Sequence, residues 1–103
     1  MCKAVFDKDE LYILLTQIPK GRVTTYGALA KKLGDSRWAR AVGNALHNNG
    51  DGDRFPCYKV VNSRGYLSPN YKFGGSMAQK ERLEADGIVV NDGRVDLEKY
   101  LWI

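Results

Sequence analysis

Two short amphipathic segments on either side of one glycine constrain this chain more than any other feature. Thr25 can cap a first helix and Gly34 can end it, and Ser36 can cap a second helix that reaches about Asn48. A short helix, a tight turn and a second helix form the helix-turn-helix plan, whose second helix contacts nucleic acid. A plain helical hairpin has the same pattern. The sequence therefore predicts two packed helices and leaves both interpretations open.

The second of these predicted helices has two faces that differ in chemistry. One stripe is apolar and can pack inward, and the other is polar and basic. The apolar stripe consists of Trp38, Val42, Ala45 and Leu46, and the polar stripe consists of Arg37, Arg40, Asn44 and His47. Ala39 and Gly43 beside the polar stripe leave the backbone bare enough for close approach to a groove. The pattern favours a nucleic-acid partner, although a solvated helix face would show it too.

A further helix is expected before this pair, and a strand after it. Asp7 precedes apolar residues at helical spacing, which predicts a helix over about residues 7–18. Residues 55–61 are an apolar run rich in β-branched side chains, which predicts a strand. In an extended strand Cys57 and Lys59 would share a face, which would bring an ammonium group near the thiol.

The last third of the chain predicts one more helix and a hairpin. Ser76 and Gln79 have the spacing of a capping box, and Gly87 can end the helix that they open. Residues 88–97 then predict a β-hairpin. We therefore expect an α+β fold, with a winged-helix-like helix-turn-helix beside a small sheet. Residues 1–103 are expected to form a single domain, because half of this length is too short to bury a stable core.

Composition narrows the classes of partner. The formal net charge of +4 is compatible with a polyanion such as DNA. No apolar run approaches the length of a membrane span and no signal peptide is evident, so we expect a soluble, cytoplasmic protein associated with the nucleoid. Two cysteines and one histidine cannot supply a four-ligand zinc site, so no metal is expected. We also expect a monomer.

Three segments carry a family resemblance. Residues 21–27 (GRVTTYG), 39–43 (ARAVG) and 56–61 (PCYKVV) resemble, in order, three motifs of the O6-alkylguanine-DNA alkyltransferase family. The chain is similar to this family over nearly its whole length, and we expect it to correspond to the DNA-binding and active-site domain alone, without the extra N-terminal domain of the larger members. Its later segments look especially like the short alkyltransferase-like proteins, which bind alkylated DNA and carry tryptophan in place of the acceptor cysteine. This chain has the cysteine, Cys57.

The resemblance implies a reaction and the residues that perform it. The family's counterpart of Cys57 attacks the alkyl carbon on guanine O6 and keeps the group as a thioether, so each molecule reacts once without a cofactor. By the same resemblance, Arg40 fills the gap left by a flipped nucleotide, and Tyr26 helps to rotate that nucleotide and donates a hydrogen bond to the base. Arg37, Ala39, Gly43 and Asn44 belong to the same DNA-binding helix.

The resemblance also exposes one departure from the family pattern. Asn49 matches the asparagine that organises the active-site turn, and Asp86 falls where a glutamate usually orients a histidine. That histidine would directly follow the cysteine, and Tyr58 stands there instead. An ordinary thiol of pKa about 8.5 is only roughly 3% thiolate at pH 7, and a phenol is a poor base there. Transfer to Cys57 is therefore expected to be slow.

Three functional hypotheses follow. The leading one is a repair protein that binds double-stranded DNA in the minor groove, flips O6-alkylguanine and transfers the alkyl group to Cys57. The alternative is a non-enzymatic lesion sensor that recruits another pathway, such as the proteins of nucleotide excision repair; Tyr58 favours it. A helix-turn-helix regulator would explain the basic helix but would leave Pro56 and Cys57 without a purpose.

Overall fold

The computed structural model describes residues 6–51, 54–69, 71 and 73–102. Short strands alternate with helices, which confirms the α+β class. Two 3-10 turns, Ser36–Trp38 and Cys57–Lys59, accompany the regular elements. In chain order these are α1 (Lys8–Thr16), β1 (Thr24–Thr25), α2 (Tyr26–Leu33), α3 (Ala39–His47), β2 (Val60–Val61), α4 (Gly75–Ala85), β3 (Val90–Asn91), β4 (Arg94–Val95) and α5 (Leu97–Tyr100).

The first two helices begin where their capping residues predict. Asp7 precedes α1, and its carboxylate accepts the N–H of Asp9 at 2.9 Å. The helix ends at Thr16, two residues earlier than expected, because Pro19 disfavours a helical conformation just before it. Thr25 Oγ1 accepts the N–H of Ala28 at 3.1 Å and so caps α2 as predicted, and Gly34 ends that helix with φ +134°.

The start of α3 differs from the prediction. The expected cap was Ser36, but Asp35 holds that role, because its carboxylate accepts the N–H of Arg37 at 2.9 Å and opens the 3-10 turn Ser36–Trp38. A carboxylate is a stronger acceptor than a hydroxyl, and it stands one residue earlier. The α-helix proper therefore begins at Ala39 and ends at His47.

The two predicted stripes of α3 are confirmed. Its apolar side chains pack against α1 and α2, and its polar side chains face outward. Val42, Ala45 and Leu46 are buried and Trp38 is half-buried, whereas Arg37, Arg40, Asn44 and His47 are exposed. The pair α2 and α3 thus forms the predicted helix-turn-helix, with the basic stripe on the surface.

The strand expected over residues 55–61 is wrong for most of its length. Only Val60 and Val61 pair, in parallel with Thr24 and Thr25 of β1. Pro56 has no N–H to give to a ladder, and the N–H of Lys59 bonds locally to the Pro56 carbonyl at 3.1 Å. Residues 57–59 therefore form a 3-10 turn, and Cys57 and Lys59 do not share a strand face.

The predicted capping box at the start of α4 is also wrong. Gly74 stands at the N-cap with φ +125°, and a glycine has no side chain with which to cap the helix. The side chain of Gln79 is bonded instead to residues far away in sequence. Gly87 follows the helix end with φ +85°, as its position predicted. The hairpin is confirmed, because β3 and β4 pair antiparallel, with Val90 opposite Val95.

The buried side chains form two clusters. The first joins α1, α2 and α3 and includes Cys57, and the second joins the hairpin to α4 and α5. Tyr58 packs against both, so the turn that carries Cys57 lies where the clusters meet. In the described ranges, every helix is too short or too polar to cross a membrane.

Candidate active site

A cavity of about 500 Å³ opens beside α3, and Cys57 lies in its wall. Its volume falls within the roughly 300–1,000 Å³ that is usual for small-molecule sites. The lining residues are Tyr26, Gly43, Asn44, Leu46, His47, Cys57, Val60, Ser68, Tyr71 and Gln79. Four of the residues predicted from sequence therefore meet at one cavity: Cys57, Tyr26, Gly43 and Asn44.

Cys57 is the first residue of the 3-10 turn that separates Pro56 from β2. Its side chain is buried, with 6% exposed, and its N–H bonds to the Phe55 carbonyl at 2.7 Å. Pro56 fixes the approach of the chain with φ −75°. The thiol is therefore presented from a tight local turn that borders the cavity.

Tyr26 is the first residue of α2 and lines the same cavity as Cys57. Burial raises the pKa of its phenol above the ordinary value; a hydrogen bond with the Ser68 side chain lowers it, and the charge of Cys57 raises it further. The net direction is upward. The hydroxyl therefore keeps its proton at neutral pH and can donate it in a hydrogen bond.

Asn49 follows α3 and is almost completely buried, with 1% exposed. Its side-chain N–H donates to the Phe55 carbonyl at 2.8 Å, and its oxygen accepts the N–H of Asp51 at 3.0 Å. These two bonds tie the end of α3 to the segment that leads to Cys57. The role assigned to Asn49 by resemblance stays a prediction, and its contacts are those that such a role requires.

Tyr58 and Asp86 are not brought to the cavity wall formed by the described residues. The ring of Tyr58 lies beneath the Arg82 guanidinium, 4.7 Å from its carbon to the ring centre. Asp86 is engaged elsewhere, because its carboxylate accepts the N–H of Gly21 at 2.8 Å and lies 3.3 Å from the Lys59 ammonium. The contacts of Asp86 thus point toward Lys59 and away from a relay through position 58.

The expectation that Lys59 activates Cys57 from a shared strand face is wrong. Lys59 is buried, and its ammonium donates to the carbonyls of Ile18 and Pro19 at 3.4 and 3.2 Å as well as pairing with Asp86. The 3-10 turn rotates successive side chains to different sides, so Lys59 holds the end of α1 to the end of α4.

Two contributors to the site have no clear signal in the sequence. Tyr12 stacks on Phe55 with ring centres 5.0 Å apart and donates to the Ala45 carbonyl at 2.8 Å. Burial and then the charge of Cys57 raise its pKa. Gln79 lines the cavity from α4. Only their contacts in the folded chain show their place in the site, because Tyr12 lies in no motif and Gln79 was assigned to a capping box.

The basic face of α3 borders the cavity. Arg40 is exposed on its first turn, and Gly43 has open space where a side chain would be, because an added Cβ would meet nothing within 4 Å. Arg37 pairs with Asp35 at 2.8 Å on the surface. Ala39 is half-buried. This face can approach a groove closely at the place where the cavity opens.

Comparison with known proteins agrees with this geometry. Residues 8–88 match the family model described as 6-O-methylguanine DNA methyltransferase, DNA binding domain. A bifunctional methyltransferase/endonuclease of Picrophilus torridus is 52% identical over 91 residues, which are 87% of this chain and 30% of that protein. A DNA base-flipping protein of Vibrio parahaemolyticus is 43% identical over 94 residues, covering 90% and 92% of the two chains.

A solved structure agrees as well. Schizosaccharomyces pombe Atl1, in complex with damaged DNA containing O6-carboxymethylguanine, superposes with a TM-score of 0.84 at 32% identity. The match covers 93% of this chain and 94% of Atl1. The resemblance carried by the three motifs is confirmed, and the chain belongs to the family of the 6-O-methylguanine DNA methyltransferase DNA-binding domain.

Proposed function

We propose that this protein binds double-stranded DNA in the minor groove, rotates O6-alkylguanine out of the helix and transfers the alkyl group to Cys57. The observation that carries this proposal is the position of Cys57 in the wall of a cavity that opens beside the basic face of α3. An enzyme that reacts with a base must take it out of the stack into such a pocket.

The chemistry follows from two residues that line the same cavity, Cys57 and Tyr26. The Cys57 sulfur, as a thiolate, attacks the alkyl carbon; an S–C bond forms and the C–O6 bond breaks. The negative charge moves to the guanine, and the Tyr26 hydroxyl, which keeps its proton, stabilises it with a hydrogen bond. The guanine regains one proton, which balances the proton lost by the thiol. No cofactor enters this balance.

The relatives support DNA as the partner. The Vibrio protein is named for base flipping, and Atl1 was solved on DNA that contains O6-carboxymethylguanine. The exposed arginine on the first turn of α3, Arg40, has the planar, polar side chain suited to the space that a flipped nucleotide leaves. The protein would act as a monomer in the cytoplasm, on the nucleoid.

A second function, lesion sensing without transfer, is favoured by one specific observation. Tyr58 stands where a histidine is expected and lies under Arg82, while Asp86 is held by Lys59. Without a histidine at position 58 to take its proton, the thiol would react slowly, and the complex with the flipped base would persist and mark the lesion for another pathway. Nucleotide excision repair proteins are one candidate partner. The endonuclease in the name of the Picrophilus relative supports a partner that cuts DNA.

One experiment separates the two functions. The protein is incubated with a duplex that contains O6-methylguanine, and its intact mass is measured over time, with peptide mapping to tell Cys57 from Cys2. We expect one methyl group on Cys57. The Cys57→Ser variant serves as the control and should bind the lesion without accepting the group. Tight lesion binding without transfer would favour the sensor, and equal affinity for modified and unmodified DNA would refute both functions.

A further inference from the structure

The amide of Gln79 is buried between two walls of the cavity. The side chain lies in the middle of α4 and is 1% exposed. Its oxygen accepts the N–H of Ser68 at 2.8 Å, and its nitrogen donates to the carbonyls of Tyr58 and Val60 at 3.0 and 3.1 Å. Both hydrogens of the amide nitrogen are therefore used within the protein.

These partners flank the reacting thiol. Tyr58 directly follows Cys57 in the 3-10 turn, Val60 begins β2, and Ser68 lies on the wall that holds Tyr26. A continuous set of hydrogen bonds thus runs from Tyr26 through Ser68 and Gln79 to the turn of Cys57. The two sides of the cavity are joined through one amide.

We propose that Gln79 is the positioning residue of this site: it fixes the turn of Cys57 against the cavity and sets the distance between the thiol and the Tyr26 wall. A 3-10 turn has poor hydrogen-bond geometry of its own, so its position depends on outside support. A buried carbonyl that loses its donor costs free energy, so without the amide the turn moves toward other donors. Where the inference concerns lesion binding, it rests on the proposed function.

Two substitutions of similar size separate the contacts of the amide. Gln79→Met removes all three hydrogen bonds. Gln79→Glu keeps an oxygen that can accept from Ser68, but a carboxylate cannot donate to the carbonyls of Tyr58 and Val60. If the turn depends on those two donors, both variants should behave alike. Leu83→Ala is the control for a general loss of stability. Leu83 is fully buried on the same helix, so its truncation should destabilise the fold without removing these hydrogen bonds.

The first measurement is the lesion preference, defined as the ratio of the dissociation constants for unmodified and O6-methylguanine duplexes. It is measured well below the unfolding temperature of each variant. We expect both Gln79 variants to reduce it about tenfold, from the loss of buried hydrogen bonds around the pocket, and Leu83→Ala to leave it unchanged. A native preference in Gln79→Glu, or an equal loss in Leu83→Ala, would overturn the proposal.

The second measurement does not depend on the proposed function. Cys57 is labelled with iodoacetamide and followed by peptide mapping, since a buried thiol reacts through local opening of its surroundings. The variants are compared at urea concentrations that give them the same free energy of unfolding. Under these conditions we expect both Gln79 variants to be labelled about tenfold faster than Leu83→Ala. If the wild type shows no lesion preference, the proposed function fails, and faster labelling still supports the role of Gln79. Labelling equal to that of Leu83→Ala would overturn the proposal.

Discussion

The two halves of the molecule are stabilised in different ways. In α1, α2 and α3, the capping side chains bond to residues two or three positions away, and the core is formed by stripes at helical spacing. From residue 57 onward, the decisive contacts reach far along the chain. Lys59 bonds to a carbonyl 41 residues away, and Gln79 to one 21 residues away. The first half follows local rules, whereas the second half depends on the folded chain.

The largest effect is expected where a long-range contact is removed. Lys59→Met leaves the Asp86 carboxylate without its ammonium and removes the Lys59 donor from the carbonyls of Ile18 and Pro19. We expect a loss of about 3–5 kcal/mol in the free energy of unfolding, measured with urea. The local contrast is Thr25→Ala, which removes one helix cap and should cost about 1 kcal/mol. Equal losses from the two variants would break the comparison between the halves.

A second test concerns the local half and its basic face. Arg40→Ala should weaken binding to an O6-methylguanine duplex by about tenfold, because it removes the group proposed to support the flipped state. Fluorescence anisotropy measures this. The charge-matched control is Arg64→Ala, which removes the same charge from an exposed turn while its backbone N–H keeps its bond to Asn62. If Arg40→Ala and Arg64→Ala lose the same affinity, Arg40 contributes only a phosphate contact and does not support the flipped state.

A smaller effect is expected for Tyr26→Phe, which removes only the hydroxyl. Lesion affinity should fall about threefold, the usual size for one neutral hydrogen bond.

The raised pKa of Tyr26 also predicts a pH dependence. A phenol whose pKa is higher in the folded state stabilises the fold below about pH 10, and this contribution disappears as the pH rises through the folded value. The temperature of thermal unfolding should therefore fall less steeply between pH 8 and about pH 11 in Tyr26→Phe than in the wild type. Parallel curves would contradict this.

The smallest effect is expected for Tyr58→His. An imidazole at this position would lie under Arg82, and the acid that should orient it is already bound by Lys59. We expect the single-turnover transfer rate of Tyr58→His to exceed that of the wild type by far less than the roughly hundredfold gain that a positioned base supplies. Quenched-flow transfer to Cys57 in both proteins tests this. A gain of that size would mean that Asp86 leaves Lys59 and that the two halves are coupled more loosely than the structure indicates.

Sequence reasoning was most successful in the local half. Thr25 and Gly34 bound α2 as predicted, and the buried and exposed stripes of α3 follow its spacing. The error at Ser36 was a shift of one residue between two good capping groups. In the other half, the strand expected over residues 55–61 and the capping box at Gln79 were wrong. Both patterns satisfied a local rule that distant partners overrode.

The sequence by itself determined the family, the helix pair α2 and α3, the basic face of α3 and the presence of a cysteine in the Pro-Cys motif, because each depends on residue type and short spacing. Only the tertiary structure decided that Tyr26 lines the same cavity as Cys57, that Lys59 holds Asp86, and that the amide of Gln79 joins two walls. The physical reason is that a buried polar group bonds to whichever partner the packed core brings within about 3 Å, and no local pattern records that partner.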